Sequence, residues 1–213
     1  MIIFLNCGYP ASDASCSKGY AALKEEIGVS PAEILGSTSP TLAKLMRLGG
    51  IQPEVRAARL QETARKVKKE FGGDLRAALK KRLQLEKEQA GKGVRAAKRV
   101  LQEFPVIGEP SAEKILLFSK LAPVAAVPSA LVEVPARLWL GDAGKNYSAD
   151  YRAAREILNE GLAATFEARQ RAYLLLKKHG QQTCKRSKPK CEICPLTGHC
   201  AYIQRQASDR NIV

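Results

Sequence analysis

Apolar residues recur along most of this chain every three or four positions, and glycine, proline and capping residues punctuate the runs. The clearest run spans Pro53 to Phe71, where Val55, Leu60, Ala64 and Val67 recur at helical spacing and Gly72-Gly73 end it. Upstream, residues 1–8 form a short apolar segment, and Ser12 or Asp13 caps a helix that closes at Gly28. Ser30-Pro31-Ala32-Glu33 reads as a capping box with proline at the first helical position. Ser39-Pro40 repeats that signal for a helix to Leu48, stopped by Gly49-Gly50. Asp74 caps the next helix, LRAALKKRLQLEKEQ, whose charges read as a solvated face without function. Gly91-Lys92-Gly93 is expected to be a flexible break. Further helices are predicted over 94–103, from Pro110 to Leu121, over 129–139, over 148–160 with Ser148 as cap, and over 163–178. No stretch reads as a strand, so the predicted fold is all-α. The proline-bounded crossing PVAAVP, 123–128, places a domain boundary between 1–122 and 123–213.

Length adds little beyond room for one large or two small cores in 213 residues. Charge adds more. Lys and Arg number 35 against 21 Asp and Glu, and a net +14 gives a field that favours polyanions, nucleic acid first. Many soluble proteins are basic without such a partner, so charge alone decides nothing. Aromatic residues, at 6%, are too sparse for a platform that stacks single strands. No run approaches a membrane span, and MIIFLNCG lacks the basic lead and the length of a secretory leader. A cytoplasmic chain with reduced thiols is expected.

Candidate chemistry gathers in the last forty residues. Cys184, Cys191, Cys194 and Cys200 are separated by six, two and five residues. Four thiolates in one loop can close round one metal centre, and Cys₄ ligation suits an iron–sulfur cube. Zinc is the alternative, although its Cys₄ sites usually come as two close pairs, and here only Cys191 and Cys194 make one. Disulfides are the weaker reading. Cys7 and Cys16 stand in apolar or helical contexts that suit buried free thiols. Lys185, Arg186, Lys188 and Lys190 lie between the first two loop cysteines. Pinning both ends of that loop would pre-order its cations against a phosphate backbone; a solvated basic loop is the plainer reading.

Two stretches share a helix–turn–helix rhythm with a glycine turn, Leu45 to Ala64 and Val100 to Leu117. Phe104, Pro105, Ile107 and Gly108 of the second, with His179-Gly180 and the cysteine spacing, resemble endonuclease III. That superfamily comprises the helix-hairpin-helix DNA glycosylases that carry a [4Fe–4S] cluster. The resemblance runs from about Ile2 to Tyr202 and is strongest from Leu176 onward. It implies a six-helix barrel-like domain with the hairpin, followed by a helical iron–sulfur domain. It also implies a [4Fe–4S] cluster on the four loop cysteines and double-stranded DNA, damaged or intact, as partner. The DNA would be held at Ile107 and Gly108 and along the loop cations. In such hairpins, glycines let backbone N–H groups approach a phosphate at a helix N-terminus. Here Val106 stands where the first glycine belongs, and its side chain would crowd that approach.

In active relatives a lysine two positions after the second hairpin glycine is often the Schiff-base nucleophile, and an aspartate eighteen residues on serves the whole superfamily. The carboxylate stabilises the positive charge that grows on the sugar as the glycosidic bond breaks, and the amine then captures the sugar carbon. In this sequence those positions are Pro110 and Pro128, with Val127 matching the valine before the aspartate. Neither proline can do that chemistry, although both suit the start of a helix. Relocated candidates are Lys114, Glu109, Glu113 and Glu133, each with a plain reading as a solvated or helix-terminal charge. Tyr9 and Asp13 fall near positions where relatives place DNA-facing residues, with Tyr9 read as core.

The expectation is a monomeric DNA-binding iron–sulfur protein of base-excision repair or damage recognition, lacking the standard activity. The alternatives are a glycosylase or abasic-site lyase using relocated residues, and an iron–sulfur redox sensor that regulates through DNA. The resembled family has a further N-terminal helix beside the cluster domain, so the expectation is either a start upstream of Met1 or a shortened form with part of its apolar surface uncovered.

Overall fold

The computed structural model describes residues 1–8, 12–84, 91–142 and 146–210, and all regular structure among them is helical. Tyr9 and the LEKEQ portion of the helix after Asp74 lie outside the described residues. The chain divides into two compact units, Met1–Ile115 and Leu116–Val213.

The first unit holds α1 (Ile2–Asn6), α2 (Asp13–Glu26), α3 (Pro31–Gly36), α4 (Ser39–Met46), α5 (Pro53–Phe71), α6 (Leu75–Leu83), α7 (Lys92–Gln102) and the first part of α8 (Glu109–Phe118). Its core gathers Leu23, Ile34, Leu42, Met46 and Leu60, all fully buried. The α5 stripe delivers Leu60, Ala64 and Val67 to that core, but Val55, in the first turn, is exposed. The capping box closes both ways. Ser30 Oγ accepts from the Glu33 N–H at 3.3 Å, and Glu33 Oε2 accepts from the Ser30 N–H at 2.8 Å. Thr38, rather than Ser39, caps α4, accepting from the Thr41 N–H at 3.3 Å. Gly49 does more than stop a helix, because a Cβ there would lie 1.9 Å from the Cys7 carbonyl oxygen. The expected flexible break at 91–93 is instead the start of α7. Gly91, at φ +75°, makes the turn, and Gly93 is buried in the first helical turn.

In the second unit the expected helix over 129–139 is not continuous. A 3₁₀ turn at Ser129–Leu131 leads to α9 (Glu133–Pro135) and then to a π turn, Ala136–Leu140. Pro135 falls in the first turn of the 133–140 run, where its missing N–H is tolerated, and Gly141, at φ +84°, ends the run. Next come α10 (Tyr147–Gly161), α11 (Phe166–Gln182) and α12 (Ala201–Arg210). Asn146, not Ser148, caps α10; its Oδ1 accepts from the N–H groups of Ser148 and Ala149 at 3.1 and 3.2 Å. Val127, Val134, Tyr151, Ala154, Leu158 and Leu176 form the core. Arg169, buried on α11, donates to the Pro123 carbonyl and to Asn159 Oδ1, fastening the 123–128 crossing to that helix. Among the described residues no helix is long and apolar enough to cross a membrane.

Candidate metal centre and hairpin

Helix α11 runs four residues past its predicted end and delivers His179 and Gly180 almost directly to Cys184. Gly180 is dictated by packing, since a Cβ there would lie 2.8 Å from Val134 Cγ2. The Thr183 carbonyl then accepts from the N–H groups of Lys185 and Lys190, both at 2.9 Å, which closes the 183–190 loop on its own backbone. Single 3₁₀ turns at Cys191–Ile193 and Thr197–His199 bring the remaining cysteines round.

All four loop cysteines line one pocket, against Val134 and Ile203. They lie close enough for their charges to interact. Burial first, and then the neighbouring Cys184, Cys200 and Cys194, push the Cys191 thiol above its ordinary range. The four cysteines line the same pocket, which gives a centre there four sulfur donors. Zinc draws each sulfur to about 2.3 Å from one centre, whereas an iron–sulfur cube takes one thiolate at each of its irons. The donor set therefore fits an iron–sulfur cluster.

Arg137, on the π turn, holds the first arm of the loop. Its Nη1 donates to the Lys185 carbonyl at 2.9 Å and lies 3.7 Å from Cys184 Sγ, while Nη2 donates to the Arg186 carbonyl at 2.6 Å. The Arg137 carbonyl lies 3.7 Å from Cys200 Sγ, so one residue touches the first and last cysteines. His179 Nε2 lies 3.7 Å from Cys194 Sγ, and burial lowers its imidazole below the ordinary range, favouring the neutral ring. Lys185, Arg186, Lys188 and Lys190 are all exposed. Arg186 Nε also pairs with Glu133 Oε1 at 3.0 Å, so that carboxylate anchors the loop.

The hairpin turn lies between α7 and α8. Phe104 and Ile107 point inward and are buried, and the Ile107 N–H donates to the Phe104 carbonyl at 3.2 Å. Gly108 is exposed, and its carbonyl accepts from the Ala112 N–H at 2.9 Å to open α8. Asn6 Nδ2 donates to the Pro105 carbonyl at 3.3 Å, tying the turn to α1. Val106 adopts φ +60°, a left-handed conformation that glycine reaches freely and a β-branched residue rarely does. The turn thus holds a valine in a backbone conformation that favours glycine.

Pro110 is the second residue of α8, and buried Pro128 opens the Ser129–Leu131 turn, its carbonyl accepting from the Leu131 N–H at 2.9 Å. Glu113 is buried rather than solvated; Lys98 Nζ lies 2.6 Å from its Oε1 and 2.5 Å from Glu109 Oε1. Lys114 is half-buried near Cys16, and desolvation pushes its amine below the ordinary lysine range, with Cys16 opposing. Cys7 and Cys16 are buried free thiols. Lys98 and Arg137 carried no local signal, because each meets its partners 11 to 63 residues away in the chain.

The helical architecture, the hairpin and the cysteine loop together define the fold of the helix-hairpin-helix DNA glycosylases, with an iron–sulfur loop at the C-terminal end. More particularly, residues 184–200 match the family model for the iron–sulfur binding domain of endonuclease III. A non-covalent endonuclease III–DNA complex superposes with a TM-score of 0.72 at 17% identity, covering 97% of this chain and 84% of that one. A thermostable thymine-DNA glycosylase gives 0.71 at 19% identity, with 96% and 84% covered. The H. pylori 3-methyladenine DNA glycosylase bound to 1,N6-ethenoadenine gives 0.53 at 18% identity, with 84% and 80% covered. No curated protein matches the sequence.

Proposed function

We propose that this is a DNA-binding protein of base-excision repair or damage recognition that holds a [4Fe–4S] cluster on Cys184, Cys191, Cys194 and Cys200 and works without the standard lysine–aspartate pair. The observation that carries the reading is the ring of four thiols round one pocket, with Lys185, Lys188 and Lys190 exposed on the loop between the first two. When bound, the cluster would pin both ends of that loop and supply a centre able to exchange an electron. The loop cations and the exposed Gly108 at the start of α8 would meet the phosphates of double-stranded DNA. Ile107 contributes packing, since its side chain and its N–H are both directed inward. Pro110 and Pro128 offer neither an amine nor a carboxylate.

A second reading rests on Lys114. An amine lowered by burial is more often neutral, as an attack on an abasic-site aldehyde requires, and this would make the protein a lyase with relocated chemistry. One experiment separates the two. Protein purified without oxygen is assayed on a panel of lesion-bearing duplexes, with borohydride present to trap covalent adducts. The first reading expects a brown protein with about four irons per chain that binds duplex and traps nothing. A trapped adduct that disappears in Lys114→Met would install the second. A colourless protein with one zinc would remove the cluster.

A further inference from the structure

Helices α6 and α7 pack against each other and carry charge of one sign. The charged residues of α6 are Arg76, Lys80, Lys81 and Arg82, those of α7 are Lys92, Arg95, Lys98 and Arg99, and neither helix contains a carboxylate. Both are built as one-sided surfaces. Leu79 on α6 and Ala97, Val100 and Leu101 on α7 are buried, while Lys80, Lys81, Arg82, Lys92, Arg95 and Arg99 are exposed. Lys98 is turned to Glu109 and Glu113; among the described residues no carboxylate pairs with the other six.

Helix stability accounts for only part of this. Lys80, Lys81 and Arg82 stand in the last turn of α6, where a cation suits the helix dipole. On α7 the logic reverses. Lys92 and Arg95 stand at its N-terminal end, where a cation is unfavourable, and Gly91 gives no side-chain cap. Nor are the charges relieved within the helix, as α5 does by pairing Lys66 with Glu70 at 2.8 Å. Local rules broken without a local gain mark a surface kept for a partner. Its position suggests which one. Lys92, Arg95 and Arg99 fall at i, i+3 and i+7 along one face of α7, which runs about 16 Å from its start to the hairpin turn.

We infer that the exposed α6–α7 face is a second contact for the phosphate backbone of double-stranded DNA, continuous with the hairpin and separate from the cysteine loop. The inference rests on the DNA-binding reading above and extends it to residues outside the hairpin and the loop. Such a face would add affinity and salt sensitivity without reading sequence.

The test is the salt dependence of binding to an undamaged duplex, read by fluorescence anisotropy. The five-fold variant K80Q/K81Q/R82Q/R95Q/R99Q is compared with K18Q/K24Q/K44Q/R152Q/R171Q, which removes equal charge from exposed positions elsewhere. Each lost phosphate contact lowers the slope of log affinity against log salt by about 0.9, so a fall of about 2 to 4 is expected for the first variant and less than about 1 for the control. Circular dichroism checks the fold of each, and R95K/R99K is expected to retain the wild-type slope. Equal slopes for the two five-fold variants would overturn the inference while leaving the DNA-binding reading intact. Wild-type protein that fails to bind duplex at any salt would overturn both. Loss of binding to phosphatidylserine vesicles with an unchanged duplex slope would assign the face to a lipid surface, against the proposal.

Discussion

The Lys98 ammonium lies 2.6 Å from Glu113 Oε1, with the lysine side chain 14% exposed and the glutamate 3%. The same ammonium reaches Glu109, one turn earlier on α8 and 40% exposed. A carboxylate this deeply buried needs its cation, so the pair reads as a brace between α7 and α8. Glu113→Gln is expected to cost about 1–3 kcal/mol by weakening a buried charged hydrogen bond. At about 2–4 °C per kcal/mol for a chain of this size, the thermal midpoint should fall by roughly 2–12 °C. Glu109→Gln should move it by less, since a partly exposed pair is worth about 0–1 kcal/mol. Calorimetry on the two variants decides the order; a silent Glu113→Gln would remove the brace.

Val106 offers a second test. Its left-handed backbone costs a β-branched side chain roughly 1–2 kcal/mol, and glycine would relieve that at an entropic cost of about 0.5–1 kcal/mol. Stability should therefore change little in Val106→Gly. Duplex affinity should rise severalfold, because the turn already has the shape in which a bare backbone approaches a phosphate. Val106→Ile, by the same logic, should not tighten binding. Anisotropy titrations of the three proteins at one salt concentration provide the measurement.

For Lys114 the sign of the pH effect is fixed by the lowered amine. The folded state gives up this proton more readily than the unfolded chain, so the unfolded chain binds more protons over that interval. Lys114 thus lowers stability at neutral pH, and the loss is recovered as pH rises towards the ordinary lysine value of about 10.4. Lys114→Met should raise the thermal midpoint near neutrality, with the gain shrinking as pH approaches 10. A gain that grows with pH would mean that the amine is not desolvated.

Arg137 supplies the fourth prediction. Its planar fork reaches two successive carbonyls and a cysteine sulfur, a geometry that lysine does not reproduce. Arg137→Met and Arg137→Lys should both lose iron to a chelator faster than wild type, followed by decay of the visible absorbance. Arg186→Gln, which breaks only the outer pair to Glu133, should retain iron almost as wild type does. Equal loss rates for all four proteins would show that the clamp does not hold the first cysteine.

Local chemistry made much of this fold legible. The capping box at Ser30, the Asp74 cap and the Gly72 stop are decided within four residues, and they appear as read. Irregular turns and distance defeated the rest. The helix expected over 129–139 is interrupted at Val132, between a 3₁₀ turn and the 133–140 run, where periodicity alone would continue it. Gly93, in a glycine-rich triplet, is buried inside α7 rather than loosening a linker. The cysteine spacing located the candidate centre, but it could not reveal Arg137, whose partners lie 47 to 63 residues away. From sequence Glu113 reads as a first-turn dipole partner and Lys114 as a solvated charge, because the groups they meet, Lys98 and Cys16, stand on other helices.

Pro110 and Pro128 also differ in what a substitution at each would meet. Pro110 sits half-exposed in the first turn of α8, where a lysine would sacrifice no helical hydrogen bond. Pro128 is buried, and a carboxylate installed there would have to shed its water and tend to hold its proton. A charged side chain is therefore far easier to place at position 110 than at position 128, where the surrounding apolar side chains would first have to repack.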